Sequence, residues 1–218
     1  MPSRSSSIAI VTGAAQGIGQ SIALRLAQDG LDVAVNDLPE KDVQLQEVVH
    51  QIQAAGRRSI AVAADVSDEE GVRKMIAQTV RRLGGLDVMV ANAGYSTLGS
   101  LVEFSTQDWD RMMSVNLRGV MLCYKYAAIQ MIKQGRGGRI LGGPMASAYS
   151  ASKFAIRGLT QSAALELAPH NITNLNLPAN IPVAEPDAVA SWVAYLVKPE
   201  AYFITGQTVM MNGGMVLD

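Results

Sequence analysis

The chain has 218 residues, a formal net charge of −1 and 49% hydrophobic residues. This composition supplies a large core and excludes a disordered protein, and the near-neutral charge gives no sign of a nucleic-acid surface. No apolar run reaches the ~18 residues that a membrane span needs, and the single cysteine, Cys123, excludes an internal disulfide.

The N-terminal "MPSRSSS" runs straight into a strand-like "IAIV". That leaves no room for a signal peptide, so the expected location is the reducing cytoplasm. Strand 8–13, "IAIVTG", comes first, then a helix over 17–30 with Ile18, Ile22, Leu24 and Leu26 at its apolar positions and Gly30 at its end. Strand 32–37, helix 41–56, strand 59–66 and helix 67–85 follow, the last opening on Ser67 and three acids as a capping pattern. Strand 86–94, a long helix over 107–134, a short strand at 138–141 and a second long helix over 146–168 come next. A helix over 184–197 and a strand over 206–212 complete the chain. Cys123 falls inside the apolar pattern of the first long helix and reads as a core residue. The basic run "KQGRGGR" (133–139) reads as a solvated helix end and loop.

Strands that are apolar throughout, alternating with helices, imply a parallel sheet covered on both faces. The expected fold is therefore α/β: one doubly wound Rossmann domain over 1–218, with ligands outside the carboxyl ends of its strands.

"TGAAQGIG" (12–19) lies between the first strand and the first helix. Gly13 suits a tight turn, Gly17 a close approach to a pyrophosphate, and Gly19 helix–strand packing. The amides of the helix N-terminus would face the phosphates. Asp37 ends the second strand about 20 residues on, where a carboxylate accepts from ribose hydroxyls. No Arg or Lys stands beside it until Lys41, and the glycine turn carries Gln16 where a cation could have stood. This favours NAD over NADP; a helix-capping or turn aspartate is the alternative. Asp65 and "NAG" (92–94) end the third and fourth strands, and each is equally readable as turn chemistry.

Tyr149 and Lys153 are four apart, on one face of a helix. A free phenol has a pKa near ~10, and a neighbouring ammonium lowers it. Such a pair exchanges a proton with a carbonyl or alcohol oxygen while hydride moves at carbon. His50, His170 and Cys123 form no zinc-ligand pattern, so no metal is expected.

With TGxxxGxG, NAG and YxxxK in this order, the chain resembles the short-chain dehydrogenase/reductase family, from about residue 6 to about 173 and again from about 184 to 218. The resemblance implies that Tyr149 is the catalytic acid/base, and that Lys153 lowers its pKa and holds the nicotinamide ribose. Asn116, in "SVNLRGV", would position a water in the proton relay. The cofactor would meet Gly13, Gln16, Gly17, Ile18, Gly19, Asp37, Asp65, Val66, Asn92, Ala93, Gly94, Tyr149 and Lys153. Within the family, "YSASKFAIRGLTQSAALELAPHNIT" looks most like the acetoin/diacetyl reductases, or butanediol dehydrogenases. Sugar-alcohol dehydrogenases and 3-oxoacyl reductases share much of that helix. A small carbonyl or alcohol substrate is expected, with no nucleic-acid or membrane partner.

The pattern breaks twice. The family places a catalytic serine at the end of the fifth strand, but "GGRILGG" holds no hydroxyl, and Ser147 at i−2 points away from the face of Tyr149. Three readings stay open. The protein carries a loop near 141–144 that this sequence lacks; the connection is truly short and the enzyme is impaired; or a displaced hydroxyl serves. The second break is "NLNLPANIPV" (174–183), within a stretch 173–184 where the family has a buried strand, a Pro-Gly turn and a substrate lid. A protein that binds NAD without turnover, as a sensor or scaffold, is the rival reading, and a methyltransferase on a similar sheet is a distant third. The long helices 107–134 and 146–168 are apolar around much of their circumference, so a homotetramer or homodimer is expected.

Overall fold

The computed structural model describes residues 7–137, 155 and 186–201. The elements expected at 138–141, 146–168 and 206–212 lie outside these residues.

Strand β1 (Ile8–Thr12) is buried along its whole length. A parallel strand flanked on both sides and covered on both faces has no solvent side, which is why "IAIVT" shows no polar alternation. It pairs in parallel with β2 (Asp32–Asp37) and β4 (Val88–Val90), and β3 (Ser59–Ala63) pairs with β2, giving the order β3-β2-β1-β4. Ile10 stands opposite Ala34 on one side and Met89 on the other. The chain builds outward from β1 to β3 and then returns to the far side of β1. The switch point lies between β1 and β4, where ligands bind in open parallel sheets.

Side chains alternate across the sheet with the period of two that a strand imposes. Ala9, Val11, Val33 and Val35 pack with α1 (Gly17–Gln28), α2 (Asp42–Ala54) and α6 (Pro186–Leu196), through Leu26, Val48 and Ala194 among others. Ile8, Ile10, Ala34 and Ile60 face the other way, onto α3 (Glu69–Leu83) and α5 (Val120–Gln134), where they meet Met75, Leu122 and Cys123. The α/β doubly wound expectation is met.

Two strands end earlier than their apolar runs. β3 stops at Ala63 because Asp65 closes a turn: its Oδ1 accepts from Ser67 N at 2.8 Å and Ser67 Oγ at 2.7 Å. Ser67 is therefore committed to that turn, and the cap of α3 is Asp68, which accepts from Glu70 N at 3.3 Å and Gly71 N at 2.9 Å. β4 stops at Val90 because hydrogen bonds to Thr12 then replace the ladder. The helix expected over 107–134 is a continuous run in three parts: α4 (Thr106–Met113), a π-helical turn (Ser114–Gly119) and α5. A Cβ on Gly119 would lie 2.9 Å from Val66 Cγ2, so glycine lets this helix press against the end of β3.

The amino edge of the sheet is tied by charge. Asp32, nearly fully buried, pairs with Arg57 at 2.6 Å and Arg58 at 2.8 Å. Arg136, from the run "KQGRGGR", grips Asp87 at 2.7 and 3.1 Å rather than standing free in solvent.

Candidate functional site

The crevice at the switch point is built from the ends of β1 and β4. Thr12, 1% exposed, ends β1. Its Oγ1 accepts from Asn92 N and Ala93 N, both at 3.0 Å, and donates to Val90 O at 3.4 Å. Asn92 returns the contact: its Nδ2 donates to Thr12 O at 2.9 Å and Gly13 O at 3.3 Å. The carboxyl ends of two neighbouring strands are thus stitched by two side chains. Sequence reasoning chose Asn92 and passed over Thr12; the available signal was a threonine at a strand end immediately before the glycine turn.

Gly13 and Gly19 are required by close approach. A Cβ on Gly19 would lie 2.1 Å from Gly13 O and 2.6 Å from Asn92 Nδ2, and one on Gly13 would lie 2.9 Å from Ala93 Cα. All but the Asn92 amide are backbone atoms, which cannot rotate away. Gly17 opens α1 at φ 57°, in the left-handed region. Gln16 precedes it with no side-chain capping bond, so the first amides of α1 are not closed off by the cap residue. Ile18 is exposed rather than packed in the core.

Asp37, half-buried, leans back over the glycine turn. One carboxylate oxygen accepts from Ala15 N at 3.1 Å and the other from Leu38 N at 2.9 Å. A carboxylate has room for about four acceptor contacts, so half of its capacity remains. Lys41, the last residue of a 3-10 turn (Pro39–Lys41), reaches the same place, its Nζ donating to Gln16 Oε1 at 3.4 Å. Asn36, buried beside Asp37, fixes the end of β3 by donating to Val62 O at 2.9 Å and Ala64 O at 3.0 Å. That anchors Asp65, which is exposed, and Val66, which is buried. The Oδ1 of Asn36 is buried with no hydrogen-bond partner among the described residues.

At the other end of the crevice, Gly94 lies beside Asn116 of the π turn. The Asn116 side chain bonds the backbone of one residue twice: Oδ1 accepts from Tyr95 N at 2.7 Å, and Nδ2 donates to Tyr95 O at 2.8 Å. Its amide therefore sets the path of the chain leaving "NAG". A π turn shifts the backbone hydrogen-bond register, and such turns recur at functional sites. Arg111 stacks over the Tyr95 ring at 4.5 Å. Sequence reasoning missed Tyr95 and Arg111 because their pairing spans a loop of no periodicity.

Tyr149 and Lys153 lie outside the described residues. Cys123, 1% exposed, has its thiol pushed up to about 12 by burial, and Tyr124 is raised by burial and by Cys123 beside it. Both suit core residues, with the cysteine held as the neutral thiol. Among the described residues no group of three His, Cys, Asp or Glu side chains could hold a metal ion, and no helix is long and apolar enough to cross a membrane.

The parallel sheet, the glycine turn and the switch-point crevice define a Rossmann-type α/β domain. A family model described as short chain dehydrogenase matches residues 7–181. The chain belongs to the short-chain dehydrogenase/reductase family, whose members bind nicotinamide cofactors. It is 45% identical over 251 residues to a short-chain dehydrogenase/reductase of Armillaria gallica, covering 97% of this chain and 96% of that one. It is 38% identical to a 3-oxoacyl-[acyl-carrier-protein] reductase of Staphylococcus aureus, covering 96% of this chain and 98% of the relative. Among solved structures, the acetoin dehydrogenase of Salmonella typhimurium superposes with a TM-score of 0.73 at 33% identity, covering 96% and 95% of the two chains. Since 97% of 218 residues is about 211, about 40 of the 251 positions aligned with the Armillaria protein face gaps in this chain.

Proposed function

We propose that the protein is an NAD(H)-dependent oxidoreductase that interconverts a small ketone or diketone and a secondary alcohol, with acetoin/diacetyl as the first substrates to try. The observation that carries the cofactor half is the Asp37 carboxylate at the end of β2, bonded to Ala15 N of the glycine turn with acceptor capacity to spare. A ribose diol needs such an acceptor, and a 2′-phosphate is repelled by it. The glycine turn fits a dinucleotide in a second way: among the described residues nothing lies within 4 Å of a Cβ built on Gly17, so the backbone there is open to a phosphate. Gly13, Gln16, Gly17, Ile18, Gly19 and Asp37 would hold one end of the cofactor. Asp65, Val66, Asn92, Ala93 and Gly94 would line the adenosine side.

A nicotinamide held there would supply or accept the hydride exchanged with the substrate carbon. Tyr149 donates the proton to the carbonyl oxygen, or removes it from the alcohol. Lys153 favours the phenolate by its charge and holds the nicotinamide ribose. Asn116 keeps the π turn and the "NAG" exit in register, and the relay water would sit beside that turn. The likeness to an acetoin dehydrogenase structure supports the diketone reading, and the likeness to a 3-oxoacyl reductase supports the rival substrate class. The exposed apolar residues Met121, Ile129 and Ile132 on α5 support a homodimer or homotetramer through this helix; light scattering that shows only monomer would overturn it. A cytoplasmic location fits the single buried thiol.

The test is diacetyl and acetoacetyl-thioester reduction with NADH, run beside Tyr149→Phe. Turnover in the wild type and none in the variant, at near-equal NADH affinity, is the expected result. The gaps against relatives favour one second reading, a dinucleotide-binding protein that senses or scaffolds without turnover. Tight NADH binding with no reduction of either substrate class would select it.

A further inference from the structure

The glycine turn carries no cation, and Leu38, the residue after Asp37, carries none. Lys41 supplies one from farther along the chain. The 3-10 turn Pro39–Lys41, closed by Lys41 N donating to Leu38 O at 2.9 Å, brings its side chain back toward the end of β2. Its Nζ then meets Gln16 Oε1, the side chain that precedes α1. Gln16 and Asp37 flank the same turn, since Asp37 binds Ala15 N. One carboxylate and one ammonium thus share this end of the crevice. They act oppositely on a 2′-phosphate, which carries close to two negative charges.

We propose that Lys41 is a cofactor-specificity residue: its ammonium, anchored on Gln16, offsets the repulsion from Asp37 and lets the protein take a 2′-phosphorylated dinucleotide as a second cofactor. This rests on the dinucleotide reading of the crevice. Asp37 sets the preference for the unphosphorylated form, and Lys41 sets how strong that preference is. Lysine acts here as a point charge on a flexible stem, so the effect depends on charge rather than on a bidentate fit. Lys41 is half-buried, Gln16 is exposed, and no ion pair consumes the ammonium among those identified in the described residues. Screening by solvent and salt keeps the effect near one order of magnitude.

The test uses the full chain and two cofactor fragments, 5′-AMP and 2′,5′-ADP, with calorimetric dissociation constants at low salt. In Lys41→Ala the ratio of the two constants should move about tenfold against 2′,5′-ADP; Lys41→Arg should restore most of it, and added salt should compress the wild-type ratio. Asp37→Ala should move the ratio the other way, and by less when combined with Lys41→Ala. Melting curves of the variants confirm folding. If both fragments bind and the ratio in Lys41→Ala stays within twofold of wild type, Lys41 has no such role. If neither fragment binds the wild type, the dinucleotide reading falls, and the inference with it.

Discussion

Replacing Thr12 by valine tests whether the crevice is held open by the stitch between β1 and β4. The two side chains have nearly the same shape, so the substitution removes the hydroxyl and little else. Thr12 Oγ1 accepts from two amides, Asn92 N and Ala93 N. Asn92 N keeps a second acceptor in Val90 O at 3.0 Å, so only Ala93 N is orphaned. An unsatisfied buried donor costs about 1–3 kcal/mol, and water can partly reach the half-buried Ala93, so the lower half of that range applies. For a domain of this size a loss of about 1–2 kcal/mol lowers Tm by about 2–8 °C. Thr12→Ser is the control: it keeps the hydroxyl and loses one buried methyl, about 0.8 kcal/mol or slightly more with the cavity left behind. Urea unfolding would show similar losses in the two variants. NADH affinity would separate them, because only valine lets the ends of the strands part. Unchanged NADH binding in Thr12→Val, or equal weakening in Thr12→Ser, would refute the reasoning.

Asn116→Ala removes both hydrogen bonds to the Tyr95 backbone, at about 0.5–1.5 kcal/mol each. Amide exchange at Tyr95 should accelerate and turnover should fall more than NADH affinity does; unchanged exchange would show that the side chain does not set this segment. Cys123 should resist a thiol reagent at pH 8 in the native protein and react on unfolding, since burial raises its pKa from 9.0 to about 12. Between those two values the unfolded chain has released a proton that the native state retains, so stability should fall as pH rises across that window. Rapid labelling of the native thiol would contradict its place in the core.

The alternation of apolar runs carried the fold class, because a parallel strand with no wet face is apolar along its buried length, as Ile8–Val11 is before Thr12 ends the strand. The glycines at 13 and 19 were equally legible, since only a residue without Cβ fits where two backbones meet. Element ends were less so: Ser67 has the chemistry of a helix cap, yet Asp65 claims it and Asp68 caps instead. Such a choice depends on competing local hydrogen bonds that composition does not rank.

The sequence by itself determined the sheet and the glycines at 13 and 19, because these depend on periodicity or on steric need at one position, and its motifs carried the resemblance to the family. Only the tertiary structure decided what the site residues touch. It made Thr12 and Asn92 partners across 80 positions of chain, turned Asn116 onto Tyr95, and brought Lys41 to Gln16 across 25. These contacts join turns from different strand–helix units, and their distances are set by the packing of the sheet rather than by any local pattern.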